Sequence, residues 1–153
     1  MGQWGIWMPG FCQFVTGVFL FLGLTIFNAF QGAPVLYMAA LAFSVYGIHW
    51  FAMGWRRYVG GDPTPDGFMA LAFLWVSIVG AYIFFAATPN DVPVAIVFIL
   101  LALIYACEIP ARLLPSKKWE YGVASFQVIN GIWLMYLTLA ATANLGIGGH
   151  FWL

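Results

Sequence analysis

Residues 92–114 read VPVAIVFILLALIYACEIPARLL, and their first sixteen positions contain no charged side chain. A helix needs about 20 apolar residues to cross the hydrocarbon core of a bilayer, whereas a strand of a membrane barrel needs about ten. A helix also satisfies its own backbone hydrogen bonds in hydrocarbon, where no water is present to do so. This stretch therefore predicts a membrane-spanning helix.

Four other segments of the chain have the same length and character, and residues typical of turns separate them. The predicted spans are residues 10–30, 34–55, 67–87, 92–114 and 119–145, and the breaks are residues 31–34, 60–67, 88–91 and 115–118. We therefore predict an all-α, polytopic integral membrane protein with five transmembrane helices, folded as a single transmembrane domain over residues 1–153.

The composition agrees with lipid as the solvent. Hydrophobic residues make up 64% of the 153 residues and charged residues only 7%, whereas a soluble domain has about 25% charged residues. This balance excludes a soluble enzyme and a disordered protein. The chain has five basic and five acidic residues, so it has no excess of positive charge with which to bind a nucleic acid. Two cysteines, Cys12 and Cys107, cannot form a disulfide framework.

The positions of the basic residues predict the orientation. All five lie at two junctions, Arg56 and Arg57 after the second span and Arg112, Lys117 and Lys118 between the fourth and fifth. With five spans, both junctions lie on the same side of the membrane, and the positive-inside rule makes that side cytoplasmic. The N-terminus is then cytoplasmic. The first ten residues contain no basic residue, so we expect no cleaved signal peptide.

Small residues follow one face of the second span, at positions 40, 44, 47 and 54. Such a stripe is typical of close helix packing in lipid, and it could also narrow a conduit. His49 lies in the same span. An ionisable residue there is a candidate functional group, although a neutral histidine bonded to a neighbouring helix is the alternative. A bis-histidine haem would need a second intramembrane histidine, which the chain lacks.

Glu108 is the only carboxylate away from the first residues of a predicted span, and it lies four residues before Arg112. Residues at this spacing share a helix face, so we expect the two side chains to pair near the cytoplasmic end. A proton-relay role for Glu108 is the alternative. Pro110 lies between them and removes a backbone donor, which predicts a kink.

The fifth span carries Gln127 and Asn130 three residues apart, and Thr138 roughly continues their face. Polar side chains in lipid point towards another helix or a water-filled path, and both alternatives remain open here. No nucleophile elbow, phosphate loop or zinc spacing is present. We therefore expect no enzyme activity, no cofactor and no metal.

The end of the second span and the loop after it resemble the acetate/succinate uptake transporter family. Residues 47–62 read GIHWFAMGWRRYVGGD, and GFMA follows at residues 67–70. In that family, a Gly-Ile stretch late in the second span is followed by a glycine, an aromatic residue and a glycine-rich turn that opens the third span. The matching residues are Gly47, Ile48, Gly54, Tyr58, Gly61 and Gly67, with Asp62 in place of the family's Asn. Residues 41–46 and the last two spans are also similar in rhythm to the urea and short-amide channels.

Both resemblances imply a homo-oligomeric protein with a conduit for a small solute through each protomer. A short carboxylate or amide is the expected solute, and a bacterial or archaeal inner membrane is the expected location. An aromatic constriction favours neutral or protonated solutes, because a desolvated anion is costly. The candidate lining residues are Phe14, Tyr46, His49, Trp75, Tyr105, Gln127 and Asn130.

A second hypothesis follows from the departures from the family. The family has six spans, and this chain has no counterpart of the sixth after residue 145. The chain could instead be a non-transporting subunit of a larger membrane complex. Its 8 Trp and 15 Phe would then supply contact surface. In both hypotheses the lipid bilayer is a partner.

Overall fold

The computed structural model describes residues 2–30, 33–114 and 116–153, and these contain no β-strand. Five helices are long and apolar enough to cross a membrane, as the sequence predicts. They are α1, Gly2–Thr25; α2, Leu36–Val59; α3, Thr64–Ala86; α4, Val92–Leu113; and α5, Lys117–Ile147. The all-α class and the number of long apolar helices are therefore confirmed. Two of the predicted breaks include residues 31, 32 and 115, which lie outside the described ranges.

The first helix differs most from its predicted bounds of 10–30, because it begins at Gly2 and ends at Thr25. The Met8-Pro9-Gly10 sequence favours a break before the span. The helix passes through it by forming a π-helical segment, Ile6–Phe11, with Pro9 inside. Proline has no N–H to donate and crowds the preceding turn of an α-helix. A wider π turn is one of the local rearrangements that accommodate such a disruption within a continuous helix.

The chain divides into two compact units, Met1–Met69 and Ala70–Leu153. In the first unit α1 packs on α2 along the predicted stripe of small residues. A Cβ added to Gly17 would lie 2.7 Å from the backbone nitrogen of Ser44, and one added to Gly54 would lie 2.8 Å from that of Ile6. Only hydrogen side chains allow backbones this close. The packing interpretation of the stripe is therefore confirmed.

The connection from α2 to α3 is ordered by two acidic residues. Gly60 ends α2 in the left-handed conformation, with a φ of +70°. The Asp62 carboxylate accepts hydrogen bonds from the backbone nitrogen and the hydroxyl of Thr64, at 3.0 and 2.8 Å. Asp66, in the first turn of α3, is buried and forms an ion pair with the partly buried Arg56. A carboxylate is favourable at a helix N-terminus because of the backbone dipoles there.

The second unit holds most of α3 together with α4 and α5. Phe84 of α3 stacks on Phe98 of α4, with ring centroids 5.4 Å apart. Trp133 of α5 donates its indole N–H to the carbonyl of Pro93 in the first turn of α4, at 2.9 Å. The helix α4 continues through Pro110 to Leu113. Its N-terminus is capped by Asp91, whose carboxylate accepts from the nitrogen of Val94 at 3.0 Å.

Candidate functional site

Five polar or charged residues in the described ranges are buried: His49, Asp66, Ser77, Glu108 and Asn130. Asp66 belongs to the α2–α3 connection, and the Ser77 hydroxyl bonds back to its own helix at 2.7 Å. The other three were singled out from the sequence. They are the groups in the apolar helices whose burial has to be explained.

Asn130 lies on the face of α5 that packs against α4. Gly122, eight residues before it, faces Cys107 of α4, and Trp133, three residues after it, bonds to Pro93. Residues at these separations share a helix face. Asn130 is 5% exposed, and its side-chain oxygen has no hydrogen-bond partner within the described ranges. A buried amide oxygen in this state costs about 1–3 kcal/mol.

The predicted polar row on α5 is not continuous. Gln127 is exposed, although it lies only three residues before Asn130. The hydroxyl of Thr138 donates to the carbonyl of Leu134 at 2.9 Å and so is satisfied within its own helix. Of the three residues, only Asn130 points into the protein.

The predicted pairing of Glu108 with Arg112 is confirmed. Their side chains are 3.5 Å apart, and Arg112 also lies 3.8 Å from the carboxylate of Glu120 in the first turn of α5. Glu108 is 1% exposed, whereas Glu120 is on the surface. One arginine is thus shared by a buried and a surface carboxylate, and both distances exceed the 2.7–2.9 Å typical of a tight charge-assisted bond.

The aromatic residues proposed as a constriction occupy different environments. Tyr46 of the first unit and Tyr105 of the second are buried, and the Tyr105 ring lies 5.6 Å from that of Phe73. Phe14 is 39% exposed and Trp75 is 67% exposed. His49 is buried, with its ring 6.5 Å from that of Trp50. Each buried member could line a path within its own unit, and the two exposed ones lie on the helix surface.

A row of large exposed side chains along α3 was missed by the sequence reasoning, which singled out only Trp75. The row repeats with steps of three and four residues, the heptad spacing of a helix–helix seam. Its members are Phe68, Leu71, Trp75, Ile78, Tyr82 and Phe85. The spacing was visible in the sequence, but which face of the span remained uncovered was not.

Within the described part of the chain, no three His, Cys, Asp or Glu side chains are close enough together to hold a metal ion. No protein-family model, curated protein or solved structure matches this chain.

Proposed function

We propose that the five helices cross a lipid bilayer, with the N-terminus and both basic junctions on the cytoplasmic side. The lengths and apolar surfaces of the helices support the crossings. The orientation rests on the positive-inside rule, because Arg56 and Arg57 lie at the end of α2 while Arg112, Lys117 and Lys118 surround the α4–α5 junction. An odd number of crossings then puts the C-terminal end of α5 outside.

We propose further that the protein passes a small solute, such as a short carboxylate or an amide. The observation that carries this proposal is the buried side-chain oxygen of Asn130, which has no partner among the described residues. Leaving this oxygen without a partner costs free energy. That cost is offset if water or a solute donates a hydrogen bond to it. Neutral solutes with an N–H or O–H group fit this acceptor, and a protonated carboxylic acid is one of them.

The sequence resemblance supports the same class of function. Gly47 and Gly54, which match the family stretch, lie in the α1–α2 contact. The resemblance also supports a homo-oligomer in which each protomer has its own conduit. The remaining candidate lining residues, Tyr46, His49 and Tyr105, are buried and available for a path in their respective units.

Flux of labelled acetate and of urea into proteoliposomes tests the proposal, at acidic and at neutral pH. Asn130→Leu replaces the amide by an apolar group of similar shape. Removal of an unsatisfied acceptor is neutral or stabilising, so the variant should fold while its flux falls several-fold. Gln127→Leu on the exposed face is the matched control and should keep its flux. Flux no higher than in empty liposomes, or equal flux in wild type and Asn130→Leu, would contradict the proposal.

The exposed row on α3 favours a second function, that of a non-transporting subunit in a larger membrane complex. Trp75 lies near the middle of α3 and is 67% exposed. In a spanning helix, indole and phenol groups usually occupy the interfaces, so a large aromatic surface near mid-helix is better covered by protein. Purification in mild detergent distinguishes the two functions. Foreign subunits that co-purify with the wild type and are lost in Trp75→Ala support the role as a subunit of a larger complex. A ring of identical copies supports solute passage.

A further inference from the structure

The residues after α5 do not leave the helix as a free end. Gly148 ends α5 in the left-handed conformation, with a φ of +66°, and the chain reverses direction there. The amide of Asn144 then bonds the backbone of Phe151 in both directions, since Phe151 N donates to Oδ1 and Nδ2 donates to the Phe151 carbonyl, each at 2.9 Å. We call residues 148–153 the C-terminal tail.

The C-terminal tail folds back on α5, and the side chain of Trp152 reaches that of Trp133. The hydroxyl of Tyr136 donates to the carbonyl of Trp152 at 3.0 Å, and the rings of Trp133 and Trp152 are 5.9 Å apart. Fourteen residues of helix separate Trp133 from Ile147, which is about 21 Å. Because Phe151 is held at the level of Asn144, the long side chains of Trp152, Tyr136 and Trp133 bridge the rest of this distance.

Trp133 lies beside the first turn of α4, a helix of membrane length. The indole of Trp133 bonds to Pro93, in the first turn of α4. The 22 residues of α4 span about 33 Å, which is close to the roughly 30 Å thickness of a hydrocarbon core. Given the crossings and orientation proposed above, the first turn of α4 and the C-terminal end of α5 both lie on the outer side of the membrane. A tail that folds back from the end of α5 therefore turns its aromatic side chains towards the outer leaflet.

We propose that the C-terminal tail is an interfacial anchor that inserts Phe151 and Trp152 into the headgroup layer of the outer leaflet. Indole rings favour this half-wet layer, and Trp152 is 54% exposed although its carbonyl accepts a hydrogen bond from Tyr136. Residues 121–153 contain no Asp, Glu, Lys or Arg. Insertion of the tail therefore does not require any of these charged side chains to enter the headgroup layer. The chemistry of the partner is that of a phospholipid interface.

Nitroxide labels report the depth of each position in a bilayer, through their collisions with dissolved oxygen and with an aqueous nickel chelate. Labels are placed singly at Ile147 and Leu153, and at Ile78 in the middle of α3, in a variant with Cys12→Ala and Cys107→Ala. The protein is reconstituted into phosphatidylcholine–phosphatidylglycerol vesicles. We expect position 153 to be less accessible to nickel than position 147, although it lies later in the chain. Position 78 should show hydrocarbon depth.

Asn144→Ala removes both bonds to Phe151 and should make the label at 153 mobile and accessible to nickel. Thr142→Ala is the matched control, since that hydroxyl bonds only within its own helix. A label at 153 that is as accessible to nickel as the one at 147 would overturn the anchor while leaving the membrane crossings intact, provided that position 78 is deep. A label at 153 shielded from both reagents would indicate a protein contact and would also overturn it. If position 78 is accessible to nickel, the crossings themselves are wrong, and the anchor with them.

Discussion

Gly47 of α2 lies directly against the backbone of Phe14 in α1, where an added Cβ would be 2.6 Å from the Phe14 nitrogen. The neighbouring atoms belong to the backbone of another helix and cannot move aside cheaply. Close backbone approach of this kind is how helices associate in lipid, where no hydrophobic driving force acts between them. The first unit of the protein depends on this seam.

Gly47→Ala should therefore destabilise the protein by about 1–3 kcal/mol, the usual effect of overpacking. Thermal unfolding in detergent measures the change. Gly131→Ala in α5 is the control, because no atom of the described residues outside its own helix lies within 4 Å of the added Cβ. Alanine is favoured over glycine inside a helix by about 1 kcal/mol, so the control should be neutral or stabilising. Equal effects of the two substitutions would contradict the seam.

Arg112→Leu should be strongly destabilising, because it removes the cation next to the buried carboxylate of Glu108. Breaking one partner of a buried ion pair typically costs about 3–5 kcal/mol. Glu120→Gln is the comparison, since that carboxylate is on the surface and 3.8 Å from Arg112, and it should cost less than about 1 kcal/mol. Similar losses of unfolding free energy in both variants would show that Arg112 does not serve chiefly to pair Glu108.

The turn between α2 and α3 predicts a pH dependence. The hydrogen bonds from the backbone nitrogen and the hydroxyl of Thr64 lower the pKa of Asp62 from its usual value of 3.8. A group whose pKa is lower in the folded state contributes stability that is present above the unfolded pKa and is lost as pH falls through the folded one. Wild type should exceed Asp62→Ala in melting temperature at pH 6, and the difference should shrink below pH 3.8. A difference that grows on acidification would contradict the account.

The sequence predicts the helices better than the way they pack. Apolar runs of membrane length specify five helices whatever their neighbours are, and the small-residue face of α2 is visible in its spacing. The largest difference is at the first helix, which begins at Gly2 and not at the predicted residue 10, because a π-helical segment accommodates Pro9 within a continuous helix. Asn130 is buried and Gln127 is exposed because the contact with α4 covers only part of the polar side of α5. Residues three apart on a helix point in directions about 60° apart, so one can lie inside such a contact and the other outside it. The C-terminal tail has no periodic signal at all, since its position is set by Asn144, Tyr136 and Trp133 of the preceding helix.

Chemical accessibility of three surface positions tests the membrane crossings and orientation, on which the proposals of solute passage and of the tail anchor both depend. Single cysteines at Pro63, Asn90 and Lys118 are introduced into the protein with Cys12→Ala and Cys107→Ala, and sealed vesicles are treated with a membrane-impermeant thiol reagent. Positions 63 and 118 should react from the cytoplasmic side alone, and position 90 from the opposite side alone. Reaction of positions 63 and 118 from opposite sides would contradict five crossings with both basic junctions on one side.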